Sequence, residues 1–212
     1  MIPKSLHQIW IGTRPAPLRW TETWRRMNPD FTYRLWDDEA IESLGLRNGA
    51  VYRRFLDAGL NDGAADIARA EVLHRCGGVY ADADSVALRP LGDAPFMEAG
   101  FFAQREPTEE HPNLITNAFI GAIPEHPVLV RYIDALSHVR TLRPFRVSGP
   151  WRLTEVLTGH TDTDVMILPA WTFFTHSLVG DRQDGGGSYA QHFWSTMAER
   201  WGRQAAIPYP SN

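Results

Sequence analysis

The chain has 212 residues, 43% hydrophobic and 22% charged, the balance of an ordinary globule with room for one full-cored domain. A formal net charge of −4 excludes a protein that lives along a nucleic-acid backbone, and a pyrophosphate ligand would have to find its positive charge locally, in arginines or a bound metal. The single cysteine, Cys76, excludes an internal disulfide and a cysteine-built zinc site; no apolar run approaches the roughly 20 residues of a membrane span and no secretion signal opens the chain, so the expected compartment is the cytoplasm.

Leu6-His7-Gln8-Ile9-Trp10-Ile11 reads as a first strand, stopped by Gly12 and a loop holding Pro15 and Pro17. A helix over 19–27 ends at Asn28-Pro29-Asp30, and 31–36 alternates as a second strand. Two helical pieces follow, at 39–44 and 50–58. A longer helix is bounded by Asp62 as N-cap and Gly77-Gly78 as a left-handed stop. It leads into a short buried strand, Val79-Tyr80-Ala81, with Asp82 and Asp84 at its carboxyl end and 85–88 extended again.

Strands over 100–104 and 117–122 and a helix over 126–138 come next. Ser148-Gly149-Pro150 opens a helix that runs to Leu157, with Pro150 in the first turn where its missing N–H costs little. A late strand occupies 165–168, and 184–188 (Asp184-Gly185-Gly186-Gly187-Ser188) reads as a loop that orders on ligand binding. This alternation, without internal repeat, predicts one α/β domain over 1–212: a central mixed, mostly parallel sheet flanked by helices, with ligands outside the carboxyl ends of strands. Asp82 lies at such an end.

Two carboxylates one residue apart at a strand end share a face and outline a cation site. Magnesium or manganese takes hard oxygen ligands, completes its shell with phosphate oxygens, and as a Lewis acid neutralises a leaving diphosphate. An isolated Asp-x-Asp is also a common solvated turn, so the neighbourhood decides. Asp66 and Arg69 stand three apart on the preceding helix, hence on one face. They form either an exposed ion pair worth under about 1 kcal/mol, or a functional pair in which Asp66 accepts from sugar or ribose hydroxyls while Arg69 orients it or meets a phosphate.

Most of the eight tryptophans are expected in the core, the others as stacking platforms. His7 reads as a packed, hydrogen-bonded histidine, Cys76 as packing, and Asp37 and Asp38 as a turn. No histidine spacing suggests zinc.

Ala65-Asp66-Ile67-Ala68-Arg69, Leu73, Gly77-Gly78-Val79-Tyr80 and Asp82-Ala83-Asp84 together resemble the sugar-binding region of DXD-motif glycosyltransferases, among them yeast-type initiating mannosyltransferases, capsular polysaccharide transferases and, more remotely, clostridial glucosylating toxins. Weaker likeness extends to His7-Gln8-Ile9-Trp10-Ile11-Gly12, Asn117-Ala118-Phe119-Ile120-Gly121, Ser148-Gly149-Pro150, Ile167-Leu168-Pro169 and His192-Phe193-Trp194, the last with a spacing to Trp201 that departs from the family's.

The resemblance implies a GT-A fold, a UDP- or GDP-sugar donor, Mn²⁺ or Mg²⁺, a glycan or small-molecule acceptor, and transfer of a hexose with retention. It implies a metal set of Asp82, Asp84 and His192, the last open to the alternative of a histidine satisfied within a C-terminal helix. Donor contacts would come from Trp10 stacking on the base, with Ile9, Asp66, Arg69, Tyr80, Asp82, Asn117, Gly149, His192 and Trp194. Asp66, Arg69 and Asp84 would carry the chemistry. A metal-dependent sugar-nucleotide hydrolase or nucleotidyltransferase, or a carbohydrate-binding protein without catalysis, stands as the alternative.

Overall fold

The computed structural model describes residues 1–159, 161–176 and 187–193. The chain begins with β1 (Ser5–Ile9), α1 (Leu18–Met27), β2 (Thr32–Trp36), α2 (Asp38–Leu44), α3 (Gly49–Asp57) and α4 (Asn61–Cys76). Then come β3 (Gly78–Ala81), β4 (Ser85–Ala87), β5 (Phe101–Arg105), β6 (Ile115–Ala122) and α5 (Pro127–Leu136). The described part closes with α6 (Pro144–Val147), α7 (Pro150–Leu157), β7 (Val165–Leu168) and β8 (Ala190–His192).

Every element expected within these residues is present, with ends displaced by two residues or fewer; α6 and β8 are additional. Of the expected loop at 184–188, residues 184–186 lie outside the described residues. Asp62 is not the cap of α4. The helix starts at Asn61, after Leu60, and Asp62 lies in its first turn, where a negative charge still favours the N-terminal dipole.

One sheet runs in the order β2-β1-β3-β6-β5-β7. The β1–β2, β1–β3 and β5–β7 pairs are parallel, while β6 runs antiparallel to both neighbours, giving the mixed, mostly parallel sheet expected. One face is covered by α3, α4, α5 and α7, the other by α1 and the small β4–β8 ribbon. Helix α4 is enclosed on nearly every side, with Ala64, Ile67, Ala68, Val72 and Leu73 fully covered, so a polar residue on it must find its partners inside the protein.

Two local devices aim the sheet's centre. Gly77 and Gly78 have φ of 63° and 95°, the left-handed region that lets α4 turn sharply into β3, and a Cβ on Gly78 would collide with the Ser5 carbonyl oxygen. On the other side of β3, β6 is irregular. Between the Phe102–Gly121 and Gln104–Thr116 pairs, Ala103 of β5 faces four residues of β6, Asn117 to Ile120. Such a bulge re-aims side chains, and here it frees Asn117 from the β5 register.

His7 is a core histidine, as expected. Trp36 Nε1 donates to its Nδ1 at 3.2 Å, so the proton sits on Nε2, which faces Gly77 O at 3.0 Å. Burial pushes its pKa down to about 4, the Gly77 carbonyl opposing and Arg34 assisting. The unfolded chain therefore takes up this proton before the folded one, so stability is lost as pH falls from about 6.5 toward about 4. His7→Gln keeps a donor and an acceptor there without the titration. Urea unfolding at pH 7 and pH 4.5 is expected to show a loss smaller by roughly 2 kcal/mol in the variant than in the wild type.

Candidate active site

The site gathers around the turn that follows β3. Asp82 N donates to Ala118 O at 2.9 Å, and Asp82 O accepts from Ser85 Oγ at 2.5 Å and Gln8 Nε2 at 3.2 Å. The two aspartates are not on an extended strand, as the two-residue spacing suggested. Ala83 and Asp84 form a turn, and it is this turn that brings the carboxylates together.

The third member arrives from far along the chain. Strand β8 pairs antiparallel with β4, matching His192 to Ser85, so His192 lies on a strand rather than in a C-terminal helix. Its Nε2 stands 3.1 Å from both Asp82 Oδ2 and Asp84 Oδ1. Phe119 and Phe174 meet its ring edge-on, which fixes the plane of the imidazole. Burial disfavours the charge on His192, yet the two carboxylates prevail and hold its pKa up to about 10.

Ligand atoms of Asp82, Asp84 and His192 all lie within 4.8 Å of one another. Two hard oxygens and an imidazole nitrogen suit manganese or magnesium, and two carboxylates held this close favour a positive charge between them. The residues therefore fit a divalent ion, and His192 must give up its proton to ligate one.

Behind the turn lies a second, deeper network. Arg69 Nη2 pairs with Asp66 Oδ1 at 3.3 Å, Arg69 Nη1 pairs with Asp82 Oδ1 at 3.1 Å, and Nη1 donates to Asn117 O at 2.6 Å. The guanidinium also stacks over Tyr80 with 4.5 Å to the ring centroid, while Tyr80 OH donates to Asp82 Oδ1 at 2.8 Å. Asp66 and Arg69 are 6% and 5% exposed, which overturns the surface ion pair and brings them into one network with Asp82. The guanidinium of Arg69 is thus engaged inside the protein by Asp66, Asp82 and the Asn117 carbonyl.

Asp66 Oδ1 accepts from Asn117 Nδ2 at 2.7 Å and Oδ2 from Ser148 Oγ at 2.9 Å. Tyr132 OH donates to Ser148 O, anchoring the approach to α7. Burial pushes the Asp66 carboxyl up to about 7, while Arg69, Ser148 and Asn117 favour the charged form. A Cβ on Gly149 would stand 3.2 Å from Asp66 Oδ2, so the glycine keeps that oxygen uncrowded.

The other expected residues scatter. Ile9 is a core residue, 4% exposed. Tyr80 is buried too, and belongs to the site through its bond to Asp82 and its ring beneath Arg69. Trp10 is half-buried at the end of β1, its Nε1 donating to Arg14 O at 2.8 Å, in a loop held by Gly12 N donating to Asp38 Oδ2 at 2.9 Å. Asp37 caps α2 by accepting from Ala40 N. Trp194 lies outside the described residues.

Ser148 and Tyr132 were not singled out as site residues. Ser148 looked like a helix opener, and nothing in local spacing shows that its hydroxyl meets a carboxylate 82 positions away.

Residues 18–102 match the family described as glycosyltransferase sugar-binding region containing DXD motif. An uncharacterized glycosyltransferase of Acanthamoeba polyphaga mimivirus is 34% identical over 199 residues, covering 86% of this chain and 76% of that protein. Inositol phosphoceramide mannosyltransferase 1 of Schizosaccharomyces pombe is 32% identical over 87% of this chain and 63% of its own length. A Saccharomyces cerevisiae mannosyl phosphorylinositol ceramide synthase is 29% identical over 66% of this chain, which spans 36% of that protein.

Among solved structures, the PaToxG glycosyltransferase superposes with a TM-score of 0.63 over 74% of this chain and 69% of that one at 20% identity. The ligand-free glycosyltransferase domain of the YGT toxin gives 0.52 over 78% and 80% at 11% identity. At such identities the likeness speaks for the fold, which is of the GT-A type. The sequence likeness speaks for kinship: with Asp82-Ala83-Asp84 inside the matched segment and a relative 34% identical over most of both chains, this chain belongs to the glycosyltransferases whose sugar-binding region contains a DXD motif.

Proposed function

We propose that the chain is a divalent-metal-dependent, retaining glycosyltransferase that moves a hexose from a UDP- or GDP-sugar to a hydroxyl acceptor. The observation that carries this reading is the convergence of Asp82, Asp84 and His192 on one point at the carboxyl end of a central strand. A cation held there supplies Lewis-acid stabilisation of the departing nucleoside diphosphate. Relatives named as inositol phosphoceramide mannosyltransferases put mannose first among the hexoses to test; a glycan, a polysaccharide precursor or a small natural product is the acceptor of this reading. The lone cysteine fits a reducing, cytoplasmic setting.

The roles follow from geometry. Asp66, kept in place by Asn117, Ser148 and Arg69, offers its remaining acceptor capacity to a sugar hydroxyl. Arg69 and Tyr80 hold Asp82, so the carboxylate presents Oδ2 toward His192. Trp10, at the edge of β1, offers its ring to the nucleotide base. In the retaining step the bond from the anomeric carbon to the phosphate oxygen breaks, the acceptor oxygen bonds to that carbon on the same face, and the acceptor proton passes to the departing phosphate.

A panel of UDP- and GDP-sugars with Mn²⁺, read as nucleoside diphosphate release with and without acceptor alcohols, tests the reading. Acceptor-dependent release supports transfer, and binding without turnover supports the carbohydrate-binding alternative. In the same assay Asp84→Ala is expected to abolish metal-dependent turnover while leaving the far-ultraviolet circular dichroism of the wild type; a fully active variant would remove the metal site from the mechanism. Trp10→Ala is expected to weaken UDP or GDP binding by about 1–3 kcal/mol in a calorimetric titration, the usual worth of stacking on a base. Unchanged affinity would return Trp10 to packing alone.

A further inference from the structure

Helix α1 lies against the β4–β8 ribbon and grips both of its strands. Trp24 is fully buried, and its indole Nε1 donates to Ser85 O at 3.2 Å and to Ser85 Oγ at 3.1 Å. Thr23 Oγ1 accepts from Ala87 N at 2.9 Å, two residues along the same strand. Trp20 stacks on Phe193, just past the end of β8, with ring centroids 4.7 Å apart.

Ser85 is fully buried as well, and the candidate cation ligands are tied to it. Its Oγ donates to Asp82 O at 2.5 Å, and it lies opposite His192 in the β4–β8 register. Phe193, next after His192, donates its N–H to Asp84 O at 3.0 Å. The main chains of Asp82, Asp84 and His192 are thus fastened through one residue and the strand that faces it.

An indole N–H can only donate, so toward Trp24 the Ser85 hydroxyl must accept, and its single proton is left for Asp82 O. The direction of the bond that closes the turn is therefore set from α1. A divalent cation accepts its ligands only within a few tenths of an ångström, so a turn held closed beforehand binds it more tightly than one that must be drawn together.

We propose that Ser85 is a positioning residue for the cation, its hydroxyl holding the turn from Asp82 to Asp84 in ligand geometry and the Trp24 indole directing that hydroxyl. The assignment rests on the metal-dependent reading above, and both residues act through the turn rather than on the cation itself.

Full-length Ser85→Ala and Trp24→Phe are compared with wild type by titrating Mn²⁺ into the protein alone and with UDP or GDP, the free ion being read by electron paramagnetic resonance. Ser85→Ala removes a hydroxyl and orphans no buried group: Asp82 O keeps Gln8 Nε2 at 3.2 Å, and Trp24 Nε1 keeps the carbonyl of residue 85 at 3.2 Å. Its metal-free form is expected to melt within about 4 °C of wild type, the scale of one hydrogen bond. Its Mn²⁺ affinity is expected to fall about tenfold or more, as when the partner behind a metal ligand is lost. Trp24→Phe keeps the Ser85 hydroxyl but not the donor that directs it, and is expected to lose affinity by a smaller factor.

A purely structural role would lower the melting temperature and leave Mn²⁺ affinity at the wild-type value in both folded variants, and that result would overturn the assignment. A loss in Ser85→Ala alone would keep the serine and remove the indole from the role. If Ser85→Ala does not fold by circular dichroism, Trp24→Phe decides by the same titration; if neither folds, both residues belong to stability and the assignment falls. A wild-type protein that binds no Mn²⁺, with or without nucleotide, would refute the metal reading before any variant is compared, and this assignment with it.

Discussion

Arg69 carries a permanent charge at a depth where water cannot screen it, and the centre of the molecule is arranged to make that tolerable. Its guanidinium meets Asp66 on its own helix, Asp82 beyond β3, the Asn117 carbonyl on β6 and the face of Tyr80. Removing one partner from such a group costs about 3–5 kcal/mol, because the other charge stays buried and uncompensated. Helix α4, β3 and β6 are therefore locked to one another by a polar contact as well as by apolar packing.

Asp82 divides its work between two networks. One oxygen is taken by Arg69 and Tyr80, which belong to the α4 side of the sheet. The other faces His192, whose ring is framed by Phe119 and Phe174 in the opposite core cluster. The carboxylate thus couples the two faces of the sheet at the strand end where ligands bind in α/β folds. Holding it from behind fixes its orientation toward His192, the kind of preorganisation that electrostatic catalysis relies on.

Most of the architecture was legible because its signals are local. The helix ending at Gly77-Gly78, the short apolar strand before Asp82, and the three-residue step from Asp66 to Arg69 each state their geometry within one turn or one strand. What stayed hidden depends on distant pairing. Strand β8 is three residues long and carries no periodicity, so only its ladder with β4 reveals it. Arg69 and Asp66 read equally as a solvated pair until the helix beneath them is seen to be enclosed.

The ribbon of β4 and β8 joins residues more than a hundred positions apart to finish a cluster whose other two members are near neighbours. Contacts of such long sequence separation are entropically expensive to close, so in folding this clasp belongs among the late events. A polypeptide ending before residue 190 would retain the six-stranded sheet's sequence but lack the imidazole. Anything that binds across the three side chains adds its binding free energy to the fastening of the chain's far end, so occupancy of the centre and resistance to unravelling from that end rise together.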